Sequence, residues 1–284
     1  MSATTSKAVL ITGCSSGIGR ATAQHLAGRG WTVYATARRA EAIAELEGAG
    51  CRTLALDVTD EASMRAAVSA VEAEHGAVGV LINNAGYSQS GAVESVPMAD
   101  VRRQFETNVF GLVALTQMVL PAMRAQHWGK IVNISSMGAN FVFPGGGFYH
   151  ATKYAVDAIS DALRFEVRGF GVDVVIIQPG LIKTEFGNAA VGTMDGVGNG
   201  PYGEFNAAVG DATKGAYESG PLGKLGGGPE AVAKAIEKAI TAKRPKPRYR
   251  VTPSAHLLIR QRSLMTDRMW DAMMRSQFPQ PKPD

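Results

Sequence analysis

Tyr149 and Lys153 stand four residues apart, with Ser136 thirteen residues upstream of the tyrosine. On a helix that spacing puts both side chains on one face, one turn from each other. A free tyrosine gives up its proton at a pH of ~10, too high for ready exchange near neutrality. A lysine ammonium one turn away favours the phenolate and lowers that value. Ser136, at the mouth of a strand, can donate a hydrogen bond to a substrate oxygen. The trio reads as a proton donor, its tuner and a positioning hydroxyl. That set suits moving a proton to or from an oxygen while a hydride moves at the attached carbon. The pair alone also fits an ordinary surface helix, so the reading depends on the elements around it.

Those elements alternate. Ala8 to Thr12 is a short apolar run of strand character, followed by the turn Gly13-Cys14-Ser15-Ser16-Gly17-Ile18-Gly19 and a helical stretch from Arg20 to Ala27. Strand, glycine turn and helix in that order form a phosphate-binding unit. The glycines let the backbone approach a ligand, and the helix N-terminus offers unpaired N–H groups and a positive dipole end. A second strand, Trp31 to Ala37, ends in Arg38-Arg39 with no carboxylate before Glu41. In doubly wound folds this end meets the adenosine ribose. An acid there suits the free 2′ hydroxyl of NAD, and guanidinium groups suit a 2′-phosphate. The expectation is therefore NADP(H) as preferred cofactor with NAD(H) possible; otherwise Arg38 and Arg39 simply open the next helix, Glu41 to Gly48.

Asp57 and Val58 close a third strand from Cys51. There the carboxylate can accept from an adenine amino group, in competition with capping the helix that starts near Asp60. The fourth strand, Val78 to Ile82, runs into Asn83-Asn84-Ala85-Gly86, small residues that let a flat cofactor pass the backbone or simply form a turn. Pro97 to Arg124 reads as one long helix carrying Asn108. Asn and Gly111 are poor helix-interior residues, so Asn108 either marks a kink holding a polar group or faces solvent. Gly129 to Ser136 is a fifth strand, Tyr149 to about Gly169 a helix, and Val172 to Gln178 a sixth strand. The sixth ends in Pro179-Gly180, with Thr184 placed to hydrogen-bond a carboxamide. Such alternation predicts an α/β fold, a single doubly wound parallel sheet with helices on both faces.

The segment from about Glu185 to Gly228 is rich in Gly, Ala and Asn. It follows a strand's carboxyl end, where α/β sheets bind ligands. It reads as a flexible substrate lid with one or two short helices, one near Tyr202 to Tyr217, or else as a poorly ordered linker. Phe186, Val191, Met194, Val197 and Phe205 are expected to form an apolar substrate wall. Pro229 to Ala242 is an amphipathic helix and Arg248 to Thr252 a last strand, while His256 to Phe278 reads as one further helix, either packed on the core or a partner or lying as a basic amphipathic helix on a membrane surface. No linker divides the 284 residues into two domains.

The bulk properties exclude several classes. A net charge of +4 with dispersed bases argues against nucleic acid. Two cysteines, Cys14 and Cys51, give no disulfide framework and point to a reducing, cytoplasmic setting. No unbroken apolar run reaches the ~20 residues of a membrane span, and no metal-ligand cluster stands out.

Thr12-Gly13, Gly17-Ile18-Gly19, Asn83 to Gly86, Asn108, Ser136, Tyr149 with Lys153, and Pro179-Gly180 with Thr184 together resemble the short-chain dehydrogenase/reductase family. The resemblance implies one Rossmann-like domain, a nicotinamide cofactor and a catalytic set of Asn108, Ser136, Tyr149 and Lys153. Tyr149 would be the acid/base and Ser136 would orient a carbonyl. Lys153 would bind the nicotinamide ribose, and Asn108 would hold a water of the proton relay. Val33 to Arg38, Asn108 to Gly111 and the long C-terminal extension are similar to hydroxysteroid and retinol dehydrogenases and their bacterial relatives. That implies a lipophilic ketone or alcohol substrate, and a homodimer or homotetramer through the two long helices. A nucleotide sensor without chemistry and a sugar-nucleotide epimerase are the alternatives; the intact tyrosine and lysine oppose the first, the glycine spacing the second.

Overall fold

In a computed structural model that describes residues 5–194, 200–218 and 223–281, seven parallel strands form one sheet in the order β3-β2-β1-β4-β5-β6-β7. The strands are β1 Val9–Ile11, β2 Val33–Ala37, β3 Arg52–Ala55, β4 Val80–Asn83, β5 Gly129–Ile134, β6 Val172–Pro179 and β7 Arg248–Val251. The helices between them are α1 Gly17–Ala27, α2 Glu61–His75, α3 Met98–Phe105, α4 Gly111–Ala125, α5 Gly147–Glu166, α6 Phe186–Gly192, α7 Gly203–Glu218 and α8 Pro229–Thr241. After β7 come α9 Pro253–Leu264 and α10 Asp267–Arg275. The stretch expected as a helix after β2 is a 3-10 helix, Ala40–Ala49.

Alternation along the short strands decides the layers, because successive side chains point to opposite faces. Val9 and Ile11 pack with Val33, Ala35, Ile82 and Ile236 under α1 and α8. Leu10 points the other way, with Leu81, Ile131 and Val174 against Leu115 and Met123 of α4 and Val71 of α2. Strands covered on both faces read as unbroken apolar runs, as parallel sheets require. Each fully buried Ile or Leu contributes ~1.5–3 kcal/mol of transfer free energy. Strand order reverses between β1 and β4, the crevice where such sheets bind ligands at the carboxyl ends.

The helix expected over Pro97 to Arg124 is interrupted at Asn108. A π-turn, Glu106–Phe110, separates α3 from α4, and the Gly111 N–H reaches back to the Glu106 carbonyl. Met98–Ala125 is also long and apolar enough by composition to cross a membrane, but it lies against the sheet and α2. The single helix expected over His256 to Phe278 is two. Met265 is extended, and the Thr266 hydroxyl caps α10 by accepting from the Met269 N–H at 3.3 Å. A capping threonine stops one helix and starts the next, which turns the C-terminal segment back over the site.

Candidate active site

The glycine turn is built by close approach. Gly13 has φ +73°, and a Cβ there would meet Ala85 Cα at 2.9 Å. A Cβ on Gly19 would lie 2.3 Å from the Gly13 carbonyl oxygen, so α1 packs onto the turn only with glycine at that position. The Asn84 side chain ties the ends of β1 and β4 together, donating to the Thr12 and Gly13 carbonyls at 2.9 and 3.0 Å. Ser16 sits at the α1 N-cap with no side-chain cap bond, so the first N–H groups of the helix face the crevice.

A cavity of about 790 Å³ opens there. Its lining includes Gly13, Ser15, Ser16, Gly17 and Ile18; Arg38, Asp57 and Val58; Asn84, Ala85 and Gly86; and Ser136, Tyr149, Lys153, Pro179, Gly180 and Thr184. Three expected residues are not on that surface. Gly19 is buried beneath the turn, Arg39 is exposed beside Arg38, and Asn108 is buried behind Gly86. Asp57 is partly committed: its Oδ1 accepts from the Thr59 N–H and hydroxyl at 2.9 and 2.8 Å. Capping of α2 falls to Asp60.

Ser136, Tyr149 and Lys153 converge on the middle of the cavity. The Ser136 hydroxyl faces the Tyr149 phenol, favouring its ionised form, and accepts from the Gly138 N–H at 3.0 Å. Lys153 is buried, with Nζ donating to the Ile134 carbonyl at 2.8 Å and lying 5.7 Å from the Tyr149 ring centroid. The expected lysine-driven acidity of Tyr149 is not what this geometry gives. Burial pushes the phenol up to about 12, and the Ser136 hydrogen bond opposes that rise. Burial likewise pulls Lys153 down to about 8, opposed by the Asp157 carboxylate one turn further on.

Asn108 does not face solvent; it is 1% exposed. Its Oδ1 accepts from the Tyr87 N–H at 3.1 Å, and its Nδ2 donates to the Tyr87 carbonyl at 2.8 Å and the Thr152 hydroxyl at 3.1 Å. The side chain thus clamps the segment after β4 to the helix of Tyr149. Thr152 and His150 were not legible as site residues, since neither type nor spacing marks them; both are buried beside Tyr149.

The far half of the cavity is apolar. Of the expected wall only Phe186 lines it, its ring 5.5 Å from that of Tyr149. Val191, Met194 and Phe205 do not, and Val197 lies outside the described residues. Met194 instead packs with Val96 and Val101. The wall comes from Phe141, Phe143, Val209, Leu258 and Phe278. Trp270 holds it in place, stacked on Phe143 at 6.0 Å and donating from Nε1 to the Val142 carbonyl at 3.1 Å.

Residues 7–194 match the family model described as short chain dehydrogenase. The chain belongs to the short-chain dehydrogenase family. It is 37% identical over 271 residues to the NADPH-dependent 3-dehydrocapnine reductase of Ornithobacterium rhinotracheale, covering 92% of this chain and 94% of that protein. It is 45% identical over 179 residues to the 3-ketodihydrosphingosine reductase of Bacteroides thetaiotaomicron, a match spanning 63% of this chain and 65% of the relative. Among solved structures, a short-chain dehydrogenase from Streptomyces avermitilis superposes with TM-score 0.75 at 34% identity, covering 95% of this chain and 98% of that one. As a family member with this site, the protein is an oxidoreductase enzyme with a Rossmann-type sheet.

Proposed function

We propose that this enzyme interconverts a ketone or aldehyde and an alcohol on a lipophilic substrate, using NADP(H), with Tyr149 as acid/base. The observation that carries the reading is position. Ser136 and Tyr149 stand where the glycine-turn half of the cavity meets the apolar half.

The residues present fit a dinucleotide: uncapped N–H groups at α1, a glycine turn without room for side chains, and small residues at the β4 end. When bound, the nicotinamide supplies or accepts the hydride. Arg38 lines the cavity at the β2 end and, among the described residues, makes no ion pair. It is therefore free for a 2′-phosphate. The NADPH-dependent relative supports the same preference, while a Burkholderia phymatum neighbour solved with NAD, at TM-score 0.78 and 25% identity over 100% of both chains, keeps NAD(H) as the second choice.

Ser136 orients the substrate oxygen. Tyr149 holds its proton at neutral pH and delivers it as negative charge develops on that oxygen. Lys153 presents its ammonium beside the phenol and the ribose position. Asn108 holds the Tyr87 backbone against α5, and its π-turn is the place for a relay water. Phe141, Phe143, Phe186, Leu258 and Phe278 exclude water and favour a bulky apolar substrate; both named reductase relatives are in keeping with that class. The sheet, the helices after β6 and the α9–α10 pair act as one catalytic domain. Exposed Phe110, Tyr154 and Phe165 on and beside α4 and α5 support pairing of subunits there; charged substitutions at Phe165 and Tyr154 should yield monomers in light scattering.

The test is a ketone and alcohol panel with both cofactors on purified wild type and Tyr149→Phe. The variant should lose about 10²–10⁴ in kcat while binding cofactor normally. A wild type that binds cofactor yet turns over no ketone or alcohol refutes the reading.

A further inference from the structure

His150, next to the proton donor, has no role in the chemistry above. Both of its ring nitrogens are nevertheless engaged. Nδ1 lies 2.8 Å from the Gly138 carbonyl, and Nε2 accepts from the Phe143 N–H at 3.3 Å. A carbonyl requires a donor and an N–H requires an acceptor. The two contacts together therefore fix a neutral imidazole protonated on Nδ1.

Two glycines make the slot. A Cβ on Gly138 would lie 2.5 Å from Nδ1, and one on Gly146 would lie 2.9 Å from Cδ2. The ring is thus held between the start and the end of the loop that joins β5 to α5. Aromatic rings close the remaining sides, with Tyr149 at 5.8 Å, Phe143 at 6.2 Å and Phe141 at 6.5 Å. On α9, Arg262 lies over Trp270, whose ring stacks on Phe143. Burial disfavours the cation and the Gly138 bond favours it, with burial the larger.

The contacts close a circuit. Ser136 faces the Tyr149 phenol across the cavity, Ser136 Oγ accepts from the Gly138 N–H, the Gly138 carbonyl accepts from His150, and His150 is covalently joined to Tyr149. We propose that His150 is a positioning residue: its neutral imidazole sets the Ser136 hydroxyl against the Tyr149 phenol and pins the Phe141–Phe143 wall to α5. The inference rests on the carbonyl-reductase reading for its rate consequence but not for its geometry. Such a circuit matters because a shift of about 1 Å in a reacting group can cost about 10²-fold in rate.

His150→Asn keeps an N–H where Nδ1 stands and loses the acceptor; His150→Phe fills the slot and loses both. In the full-length protein the Phe variant should lose roughly tenfold or more in kcat on the best ketone, with cofactor affinity within about twofold, and Asn should recover most of that loss. Amide hydrogen exchange at Gly138 should rise in the Phe variant and return in Asn. Nitrogen-15 spectra of the wild-type imidazole should show the Nδ1–H neutral form at neutral pH. An Nε2–H or cationic ring, a Phe variant with wild-type exchange at Gly138, or an Asn variant as impaired as Phe would each overturn the assignment. The spectra and the exchange decide it even if no ketone is turned over, an outcome that would count against the proposed function alone.

Discussion

Removing the Arg38 guanidinium should separate the two nicotinamide cofactors. Arg38 is exposed, lines the cavity just past buried Ala37, and makes no ion pair among the described residues. A charge-assisted hydrogen bond contributes ~1.5–3 kcal/mol, and solvent screening at an exposed site reduces that to ~1–2 kcal/mol. The expected loss for Arg38→Ala is therefore about 5–30-fold in NADPH affinity, with NADH changed by less than about twofold. Arg39 is exposed and does not line the cavity, so Arg39→Ala should leave both affinities within about threefold. Quenching of protein fluorescence by each cofactor gives the dissociation constants. Repeating the titration at ~1 M salt, where the screening length falls to ~3 Å, should compress the difference between wild type and Arg38→Ala. Equal losses for both cofactors, or a larger effect at Arg39 than at Arg38, would refute the reasoning.

The remaining expectations concern the lysine and the aromatic wall. Lys153 titrates near 8 in the folded protein against 10.5 as a free side chain. Between those values the unfolded chain holds more protons, so this group's contribution to stability rises with pH across that window. Urea midpoints from pH 7.5 to 10 should rise more steeply, or fall less, in wild type than in Lys153→Met; parallel curves would sink the assignment. Trp270→Ala removes a buried indole and its bond to Val142. It should cost ~3–5 kcal/mol in denaturant unfolding and raise KM for bulky ketones more than for NADPH, as steady-state kinetics with large and small ketones would show.

Much of the sheet was readable because parallel strands covered on both faces appear as bare apolar runs, and Val9 to Ile11 needs no context to be recognised. The cofactor half of the site was equally readable. Its requirements fall on consecutive residues, as at Gly13 to Gly19, where backbone approach leaves no choice of residue. What escaped depends on tertiary contact. Asn108 reads as a poor helix residue in the sequence, but its burial comes from the Tyr87 backbone, twenty-one residues away. The wall was sought in the segment after β6. Most of it instead comes from the loop before α5, from Leu258 on α9, and from Phe278, which arrives only because Thr266 breaks the helix. The Tyr149 proton affinity was misjudged for a related reason. Helical spacing showed Lys153 nearby, but not that its Nζ is bound to Ile134 and that burial dominates both groups.

The chamber draws on Gly13 at one extreme and Phe278 at the other. A chain growing on the ribosome therefore completes β1 to β6 long before it possesses a dry reaction vessel. Until Thr266 turns the final helix inward, the vessel lacks its last aromatic side. Synthesis thus lays down the glycine-turn half of the site well before the residue that completes its aromatic half.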